Sequence, residues 1–311
     1  MSDPIAFFVD HKVAQLKELG ALLTDVESSD RNSLPSNISL VTCQRFELYY
    51  STQNAEVPGV YFRKLHNKLR FCHGYYPVLR RVSRIACGLE SLLLGEKFVQ
   101  NQVKLALNGV NQSDSLRNIF EKALYISQTA RETHNFYAAT DYTEIAFELL
   151  QQMQNYQSSS KALIVIGSGA IGRGVLSHSM AREYRRVVGL SRWPKKLKRR
   201  VQLDYIDTIH PDKIPSMEVF APYDCIVAIS DTNEEYLNLI RNLCGSDQCT
   251  GIIDFSSNPL FSVFRPEKYI HEYDVRFCRF LKYLNRKHDL PIDDVSSTVD
   301  NMVSALSRID R

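Results

Sequence analysis

The sequence predicts an α/β protein made of an α+β unit, a connecting helix, a parallel-sheet unit and a short helical tail at the C-terminal end. Three observations support this prediction. Strand-like and helical patterns are mixed in the first half, a glycine-rich loop follows a short apolar run, and the polar stretch 157–161 separates the two halves. The predicted boundaries are 1–140 for the α+β unit, 141–160 for the connecting helix and linker, 161–266 for the parallel-sheet unit and 267–311 for the tail.

In the first unit, β-branched and aromatic residues predict strands, and apolar residues repeated at helical spacing predict helices. The strands are expected at residues 5–9 and 38–51, separated by a helical stretch, and the helices at 95–110 and 116–133. Asp141 and Glu144 have the spacing of a capping box, which predicts a helix over about 141–155. A last helix, with an apolar stripe along one face, is expected at 293–308.

The glycine-rich loop lies between a strand and a helix. The apolar run 162–166 is typical of a strand buried on both faces of a parallel sheet. The loop Gly167-Ser168-Gly169-Ala170-Ile171-Gly172 follows, and then a helix to about Met180 and strands at 186–190, 224–229 and 251–255. Its glycines allow a tight turn, close approach of a pyrophosphate to the backbone, and close packing of helix on strand, with the phosphates at the helix N-terminus. This order predicts a Rossmann-type dinucleotide-binding domain; a sugar-nucleotide or methyl-donor site on a similar fold is the alternative.

The residues after the second predicted strand of this unit indicate which dinucleotide is bound. NAD-binding proteins usually place Asp or Glu about 20 residues beyond the loop, where the carboxylate binds the ribose hydroxyls. This chain instead has Ser191 and Arg192, with Lys195 and Lys196 just beyond. Cations at this position favour a 2′-phosphate, so NADPH is the expected cofactor.

Composition restricts the class of protein. Of the 311 residues, 44% are apolar and 23% are charged, which is ordinary for a globular protein, and no apolar run approaches the ~20 residues of a membrane-spanning helix. The N-terminus lacks the basic and apolar regions of a signal peptide. The seven cysteines are scattered, with no CxxC and no zinc-ligand spacing. We therefore expect a cytoplasmic protein with free thiols, no metal site and no membrane partner.

The positive charges of the chain are clustered. A net charge of +3 is too small to indicate non-specific binding of nucleic acid, but a local concentration of cations favours an anion site. A solvated basic helix face is the alternative. The cluster consists of Arg182, Arg185, Arg186, Arg192, Lys195, Lys196, Lys198, Arg199 and Arg200.

The segment Thr42-Cys43-Gln44-Arg45 lies inside the strand predicted at 38–51. Because side chains two apart share a strand face, Cys43, Arg45 and Glu47 are expected to project together. A thiol nucleophile, a cation that binds a carboxylate and an anion that binds an amine suit covalent chemistry on an amino-acid carbonyl. The alternative is a small buried cysteine beside a solvated Arg–Glu pair.

Several short segments occur in an order that carries a family resemblance. They are Asp10-His11-Lys12-Val13-Ala14, then Thr42-Cys43-Gln44-Arg45 with Glu47, then Ala86-Cys87-Gly88-Leu89-Glu90-Ser91 with Leu94-Gly95-Glu96 and Gln102-Val103-Lys104, and more loosely Arg131-Glu132-Thr133. Together with the glycine loop they resemble the glutamyl-tRNA reductase family over most of residues 5–255. The family reduces glutamyl-tRNA with NADPH to glutamate 1-semialdehyde, which commits glutamate to tetrapyrrole synthesis by way of 5-aminolevulinate.

The resemblance implies a role for each matching residue. Cys43 would attack the ester carbonyl and form a thioester, Arg45 would bind the glutamate carboxylate, and Glu47 or Ser91 would orient the amino group. Glu96 would shape the pocket, with helix capping as its alternative role. The implied substrate-binding residues are Thr42, Gln44, Arg45, Glu47, Ser91, Glu96, Lys97, Phe98 and Gln102, and the implied cofactor-binding residues are Gly167, Ser168, Gly169, Ala170, Ile171, Gly172, Ser191, Arg192 and Lys195.

The chain also departs from the family pattern. Gln44 stands for Asn, Arg81 for a histidine, Lys97-Phe98 for Pro-Gln and Asn258-Pro259 for Pro-Arg. The helical dimerisation domain usual in the family does not follow, so we expect a monomer or a weak dimer. The downstream semialdehyde aminomutase is a candidate partner. The alternatives are a relative that reduces another aminoacyl-tRNA or an acyl thioester, a non-catalytic regulator that binds tRNA or NADPH, and an ordinary NADP dehydrogenase.

Overall fold

A computed structural model describes residues 3–12, 14, 19, 38–42, 44–51, 68–108, 110, 114–153, 158–213, 222–229, 234–256, 267–271 and 274–309. The chain forms two compact units, which we call the first and second units. The first unit contains residues 1–139 and 280–311, and the second contains residues 140–279.

Ten strands and nine α-helices are present in the described ranges. The strands are β1 (Pro4–Asp10), β2 (Ile38–Thr42), β3 (Arg45–Ser51), β4 (Arg70–His73), β5 (Ala162–Ile166), β6 (Arg186–Leu190), β7 (Ile206–Ile209), β8 (Tyr223–Val227), β9 (Cys249–Asp254) and β10 (Tyr269–His271). The helices are α1 (Tyr75–Cys87), α2 (Phe98–Ala106), α3 (Ser115–His134), α4 (Tyr142–Gln152), α5 (Ala170–Ser177), α6 (Pro194–Val201), α7 (Glu234–Gly245), α8 (Val275–Lys287) and α9 (Ile292–Ile309).

The sheet of the first unit is antiparallel, with strand order β2-β3-β1-β4. Thr42 at the end of β2 lies opposite Arg45 at the start of β3. The single strand predicted at residues 38–51 is therefore wrong: the chain forms a hairpin there. The Thr42 hydroxyl accepts a hydrogen bond from the Gln44 backbone N–H at 3.2 Å, a local bond typical of a tight turn. No glycine or proline marks the reversal in the sequence.

One apolar core joins the sheet of the first unit to α1, α3 and α9. Its fully buried members include Tyr49 on β3, Val82 on α1 and Phe120 on α3. Val299, in the middle of α9, lies in the same core and is 0% exposed. The structure thus divides the tail predicted at 267–311 differently, because the apolar stripe of α9 packs into the first unit.

The second unit contains a six-stranded parallel sheet in the order β10-β9-β8-β5-β6-β7. From β5 the chain adds β6 and β7 on one side of the sheet and then β8, β9 and β10 on the other, so the strand order reverses between β5 and β8. Dinucleotides bind in the crevice at such a switch point. The predicted parallel-sheet fold is therefore confirmed. The capping box is confirmed as well, because the Asp141 side chain accepts from the backbone N–H of Thr143 and Glu144 at the start of α4.

The packing of α9 leads to a stability prediction. Val299→Ala should lower the free energy of unfolding by about 2 kcal/mol, because it removes two buried methyl groups and leaves a cavity. Val275→Ala is the matched control, since Val275 is 59% exposed at the start of α8. Urea unfolding followed by circular dichroism measures both variants. Equal, small effects would contradict a core position for α9.

Candidate active site and dinucleotide crevice

Strand β3 carries two of the predicted site residues into the interior of the first unit. Arg45 and Glu47 are two residues apart and therefore share a face of the strand. Their side chains are 1% and 0% exposed, and Arg45 Nη1 lies 3.9 Å from Glu47 Oε1. The expected common face is confirmed for this pair. Cys43, the predicted nucleophile, lies outside the described residues.

Glu47 is bound by residues of the protein itself. Arg81 on α1 donates to both of its oxygens, from Nε at 3.0 Å and from Nη2 at 2.8 Å, and the Tyr49 hydroxyl donates at 2.6 Å. Arg81 Nη2 also donates to Asp10 Oδ2 at 3.0 Å. Burial alone would raise the pKa of the Asp10 carboxyl, but the hydrogen bond and charge of Arg81 hold it below its usual value. We call Asp10, Glu47 and Arg81 the ion cluster.

Arg45 keeps hydrogen-bond donors that the described residues do not use. Its Nη2 donates to the Glu90 carbonyl oxygen at 2.6 Å. Its Nε and Nη1 are buried and have no hydrogen-bond partner among the described residues. Buried donors are almost always satisfied, so two open donors on one guanidinium indicate a ligand position. Their planar arrangement suits a carboxylate.

Glu90, whose carbonyl oxygen accepts from Arg45, is held in place by contacts of its side chain. The Glu90 carboxylate accepts from Arg84 Nε at 2.7 Å and from Lys12 Nζ. Arg84 in turn donates from Nη1 to Ser296 Oγ on α9 at 2.6 Å. Burial opposes ionisation of Glu90, but the Lys12 and Arg84 contacts lower its pKa. The predicted site therefore rests on contacts that extend to the C-terminal helix.

Glu96 performs the alternative role stated for it. Its carboxylate accepts hydrogen bonds from the backbone N–H groups of Phe98 and Val99 at the start of α2, and from Ser91 Oγ at 3.3 Å. Because these N–H groups have no partner inside the helix, the carboxylate caps it. The helix accordingly begins at Phe98 and not at residue 95 as predicted. Burial raises the pKa of Glu96.

The remaining predicted substrate-binding residues lie at different depths. Gln44 is buried, and its Oε1 accepts from the Leu92 backbone N–H at 3.0 Å, which ties the hairpin to the segment after α1. Lys97 is exposed, with its Nζ 5.3 Å from the Tyr137 ring centroid. Those that are buried or half-buried are Thr42, Ser91, Phe98 and Gln102.

Arg131, from the loosely matching segment, has a structural role in the same region. Its guanidinium donates to the carbonyl oxygens of Gly95 at 3.0 Å, Ala86 at 3.2 Å and Glu96 at 2.6 Å. One side chain thus fixes both ends of the segment that contains Glu90 and Ser91. A cation that binds carbonyl oxygens in this way positions the backbone.

His11 was matched in the sequence without a role, and the structure gives it an unusual environment. Its Nδ1 is buried and has no hydrogen-bond partner among the described residues. Burial, reinforced by the charge of Arg45, lowers the pKa of His11 to about 4. The ring is therefore neutral at pH 7. For Arg81, the sequence shows only that it stands where the resemblance implies a histidine. Its contacts with Glu47 and Asp10 are not visible in the sequence because they join residues far apart in the chain.

In the second unit the glycine loop lies at the switch point between β5 and β8. Gly167 has φ +121°, and a Cβ atom there would lie 2.2 Å from the Ala228 carbonyl oxygen. A Cβ atom at Gly172 would lie 2.4 Å from the Gly167 carbonyl oxygen. Both positions therefore require glycine, for the turn and for helix packing as predicted. Gly169, by contrast, is exposed, so the backbone is open to a ligand there.

The loop and the end of β6 offer the groups that a dinucleotide needs. Ser168 is half-buried and Ala170 is exposed at the start of α5, and Arg173 Nη1 donates to the Ser168 carbonyl oxygen at 2.7 Å. After β6, Ser191 is buried, and its Oγ accepts from the Trp193 N–H at 3.1 Å. Arg192, Trp193 and Lys195 are exposed, and Ile171 is half-buried. This arrangement fits a phosphate group at the helix N-terminus.

The environment of His11 leads to a pH prediction. Its folded-state pKa of about 4 lies below the usual 6.5, so the unfolded chain binds more protons between these values. Stability should fall as pH falls through that window, by at most about 1.4 kcal/mol per pH unit from this residue. His11→Asn should flatten the profile. Urea unfolding at a series of pH values measures it.

The control for His11→Asn is His73→Asn, because His73 is exposed on β4. The Asp10 and Glu90 carboxyls, whose pKa values are lowered, lose their contribution only at more acidic pH. The difference between wild type and His11→Asn between pH 6.5 and 4 therefore belongs to His11. A profile unchanged by His11→Asn would contradict the neutral buried ring.

Two kinds of site are not found in the part of the chain that the structure describes. No group of three or more His, Cys, Asp or Glu side chains is placed to hold a metal ion. No helix within the same residues has both the length and the apolar character needed to cross a membrane.

This chain is similar to one protein family over part of its length and to individual proteins over more of it. The family described as glutamyl-tRNAGlu reductase, N-terminal domain, matches residues 8–134. Protein nfe2 of Rhizobium meliloti is 23% identical over 305 residues, which cover 92% of this chain and 94% of that protein. A glutamyl-tRNA reductase of Methanopyrus kandleri is 28% identical over 204 residues, covering 62% of this chain and 49% of the reductase.

The solved structure of glutamyl-tRNA reductase from Methanopyrus kandleri aligns with a TM-score of 0.46 at 20% identity, covering 99% of this chain and 80% of that chain. In sequence, this chain spans about half the length of the curated reductases it matches, whereas it spans nearly all of Protein nfe2. Residues 8–134 of this chain are therefore similar to the N-terminal domain of glutamyl-tRNA reductases.

Proposed function

We propose that this protein is an oxidoreductase that uses NADPH to reduce glutamyl-tRNA to glutamate 1-semialdehyde, the first step towards 5-aminolevulinate and tetrapyrroles. The observation that carries the proposal is the pair of open, buried donors on Arg45, two residues after Cys43. The match of residues 8–134 to the reductase N-terminal domain supports the same conclusion.

Cys43 acts as the nucleophile in this proposal. Its thiolate attacks the ester carbonyl carbon of glutamyl-tRNA, the carbon–sulfur bond forms, and the ester carbon–oxygen bond breaks. The tRNA leaves as an alkoxide that takes a proton from solvent, and a glutamyl thioester remains on Cys43. Cations beside a thiol favour the thiolate, and Arg45 follows Cys43 closely in the chain.

Arg45 selects the acyl group. The two open donors, Nε and Nη1, bind the side-chain carboxylate of the glutamyl group, while Nη2 stays on the Glu90 carbonyl oxygen. Glutamine in the same position would leave Nε and Nη1 without a hydrogen-bonded anion, because Glu47 Oε1 lies 3.9 Å from Nη1 and is bound by Arg81. A site built for a charged partner rejects a neutral analogue strongly, because its own polar group is left unpaired.

The second unit holds the cofactor. The positions of Gly167 and Gly172, which admit no side chain, and the exposed backbone at Gly169 fit a pyrophosphate at the start of α5. Ser191, Arg192 and Lys195 hold the adenosine end, with the cations on the 2′-phosphate. The cofactor held by these residues would supply the hydride for reduction of the thioester to the aldehyde, and the Cys43 thiolate would leave as the carbon–sulfur bond breaks.

A second candidate function is reduction of a different acyl group, from another aminoacyl-tRNA or an acyl thioester. Glu47, assigned from sequence to the substrate amino group, already accepts three hydrogen bonds from Arg81 and Tyr49. Glu90 is likewise bound by Lys12 and Arg84. Because protein groups already bind both carboxylates, an acyl thioester without a free ammonium fits the described residues better than another aminoacyl-tRNA does.

The central test is a reaction of the purified protein with glutamyl-tRNA and NADPH, with the semialdehyde detected. Wild type should form it, and Cys43→Ser should not, while both bind NADPH equally. Without NADPH, mass spectrometry of the wild type should find a glutamyl adduct on Cys43. An adduct on Cys87, or full activity of Cys43→Ser, would contradict the assigned nucleophile.

Arg45→Lys separates the two candidate functions in the same assay. It keeps the charge but loses the planar pair of donors, so kcat/KM for glutamyl-tRNA should fall about 10- to 100-fold, the loss of one charge-assisted contact of ~1.5–3 kcal/mol. Arg117→Lys is the control, because Arg117 forms an exposed ion pair on α3. Efficient reduction of an acyl thioester that has no ammonium group, with little reduction of glutamyl-tRNA, would favour the second function.

Cofactor choice gives a separate prediction. NADPH should bind at least about tenfold more tightly than NADH, because a charge-assisted contact to the 2′-phosphate is worth ~1.5–3 kcal/mol. Arg192→Asp should remove or reverse the preference. Trp193, the only tryptophan in the chain, is 68% exposed beside Arg192 and reports binding through its fluorescence.

The control is Arg200→Asp, an exposed cation on α6 with the same charge change. It should leave the ratio of the NADPH and NADH dissociation constants unchanged. Equal affinities of wild type for the two dinucleotides would show that the cations after β6 do not bind a phosphate.

A further inference from the structure

A basic groove lies on the second unit between α6 and the end of β7. It encloses about 710 Å³ and is open to solvent. Its described lining includes no acidic side chain. The groove is lined by Pro194, Lys195, Lys198, Arg199, Thr208, Ile209, His210 and Lys213.

The groove has four cations: Lys198 binds backbone carbonyls, Lys195 is assigned to the cofactor by the proposed function, and Arg199 and Lys213 have no assigned role. Lys198 Nζ donates to the carbonyl oxygens of Leu203 and Ile206, each at 2.8 Å, and so closes the loop after α6. The side chains of Lys195, Arg199 and Lys213 are exposed and form no ion pair with any described residue. Cations held in a concave surface without neighbouring acids create a local positive potential that attracts anions.

A carboxylate follows the groove-lining residue His210 in the chain, and it is exposed to solvent. Asp212 lies 3.3 Å from His210 Nδ1 and is 64% exposed, pointing to solvent beside the groove. The groove therefore carries the charges of two lysines and one arginine facing solvent, on two different structural elements. Lys195 and Arg199 are four residues apart on α6 and hence neighbours on one helix face. Cations spread along a groove suit a chain of phosphates better than a single one.

The groove shares Lys195 with the proposed adenosine site, but the glycine loop does not line it. The crevice lies at the switch point between β5 and β8, where the glycine loop meets the Ala228 carbonyl. The groove lies at the other side of β6, at the edge strand β7, and no residue of the loop 167–172 lines it. Trp193 precedes the first lining residue and exposes 68% of its surface. An exposed aromatic ring beside a basic groove is the arrangement that binds unpaired nucleotides by stacking.

We propose that this groove binds the phosphate backbone of the tRNA that carries the substrate acyl group, with Trp193 as a stacking surface for an unpaired base. The proposal rests on the proposed function, because an RNA ligand follows from a tRNA-linked substrate. It goes beyond that function by assigning RNA affinity to α6 and the end of β7.

The test measures binding of fluorescently labelled, uncharged tRNA by anisotropy at several salt concentrations. Arg199→Glu combined with Lys213→Glu should weaken binding at least about tenfold, and the slope of log affinity against log salt should become less negative by about 1.4–1.8, as expected for two lost phosphate contacts. Lys195 is left unchanged because it is assigned to the cofactor. NADPH binding, followed by Trp193 fluorescence, should be unaffected and shows that the variant is folded.

The matched control combines Arg200→Glu with Arg241→Glu. Both residues are exposed cations of the second unit, and neither lines the groove. This pair changes the net charge equally and should cost less than threefold in affinity. Equal losses in the two double variants would overturn the proposal, because binding would then follow net charge alone. Heparin serves as a competitor for labelled tRNA. If heparin and unlabelled tRNA displace the labelled tRNA equally well at equal concentrations of anionic groups, the proposal is overturned as well.

The outcomes separate this proposal from the proposed function. Should the groove variant bind tRNA as wild type does while wild type still forms semialdehyde, the groove assignment fails and the reductase function stands. Should wild type bind tRNA through the groove yet form no semialdehyde from glutamyl-tRNA, the groove assignment stands and the reductase function fails.

Discussion

The pairing of buried charge at one end of the first sheet is the constraint on which the candidate active site depends. Arg81 on α1 joins Asp10 on β1 to Glu47 on β3, and all three side chains are almost withdrawn from solvent. Removing one partner of such a group leaves an uncompensated buried charge, which costs about 3–5 kcal/mol. The ion cluster therefore fixes the two strands and the helix relative to one another. It also fixes β3, and with it the backbone position from which Arg45 projects.

Among the described residues, Arg45 has two buried nitrogens without a hydrogen-bond partner, whereas Arg131 has one. Arg81 donates to carboxylates. The two Nη groups of Arg131 donate to three carbonyl oxygens, and its Nε lacks a partner among the described residues. Among the described residues, Arg45 makes one side-chain hydrogen bond, and its Nε and Nη1 have no hydrogen-bond partner. Because buried donors are almost always satisfied, two such nitrogens on one guanidinium support a ligand at this position.

Local sequence signals predicted the second unit well and the first unit less well. Parallel strands buried on both faces leave continuous apolar runs, and the Asp141 capping box depends on residues three apart, so both are visible in sequence. The hairpin at Thr42 and Arg45 has no glycine to mark it. The bond between Arg81 and Glu47 joins residues 34 apart, and burial of α9 depends on helices formed much earlier in the chain. Contacts of this kind follow from the tertiary fold and have no local pattern.

Arg81 stands where the resemblance implies a histidine, and the two side chains differ in proton chemistry. A histidine is able to give or take a proton near neutral pH, whereas a guanidinium stays charged. Burial alone would lower the pKa of Arg81, but the charge of Glu47 outweighs it, so the pKa of Arg81 lies above its usual value. Under the proposed mechanism Arg81 is thus a positioning residue, and the departing tRNA takes its proton from solvent. The nearby His11 is neutral at pH 7 and adds no charge, so in the proposed mechanism Arg45 is the group that binds the carboxylate of the acyl group.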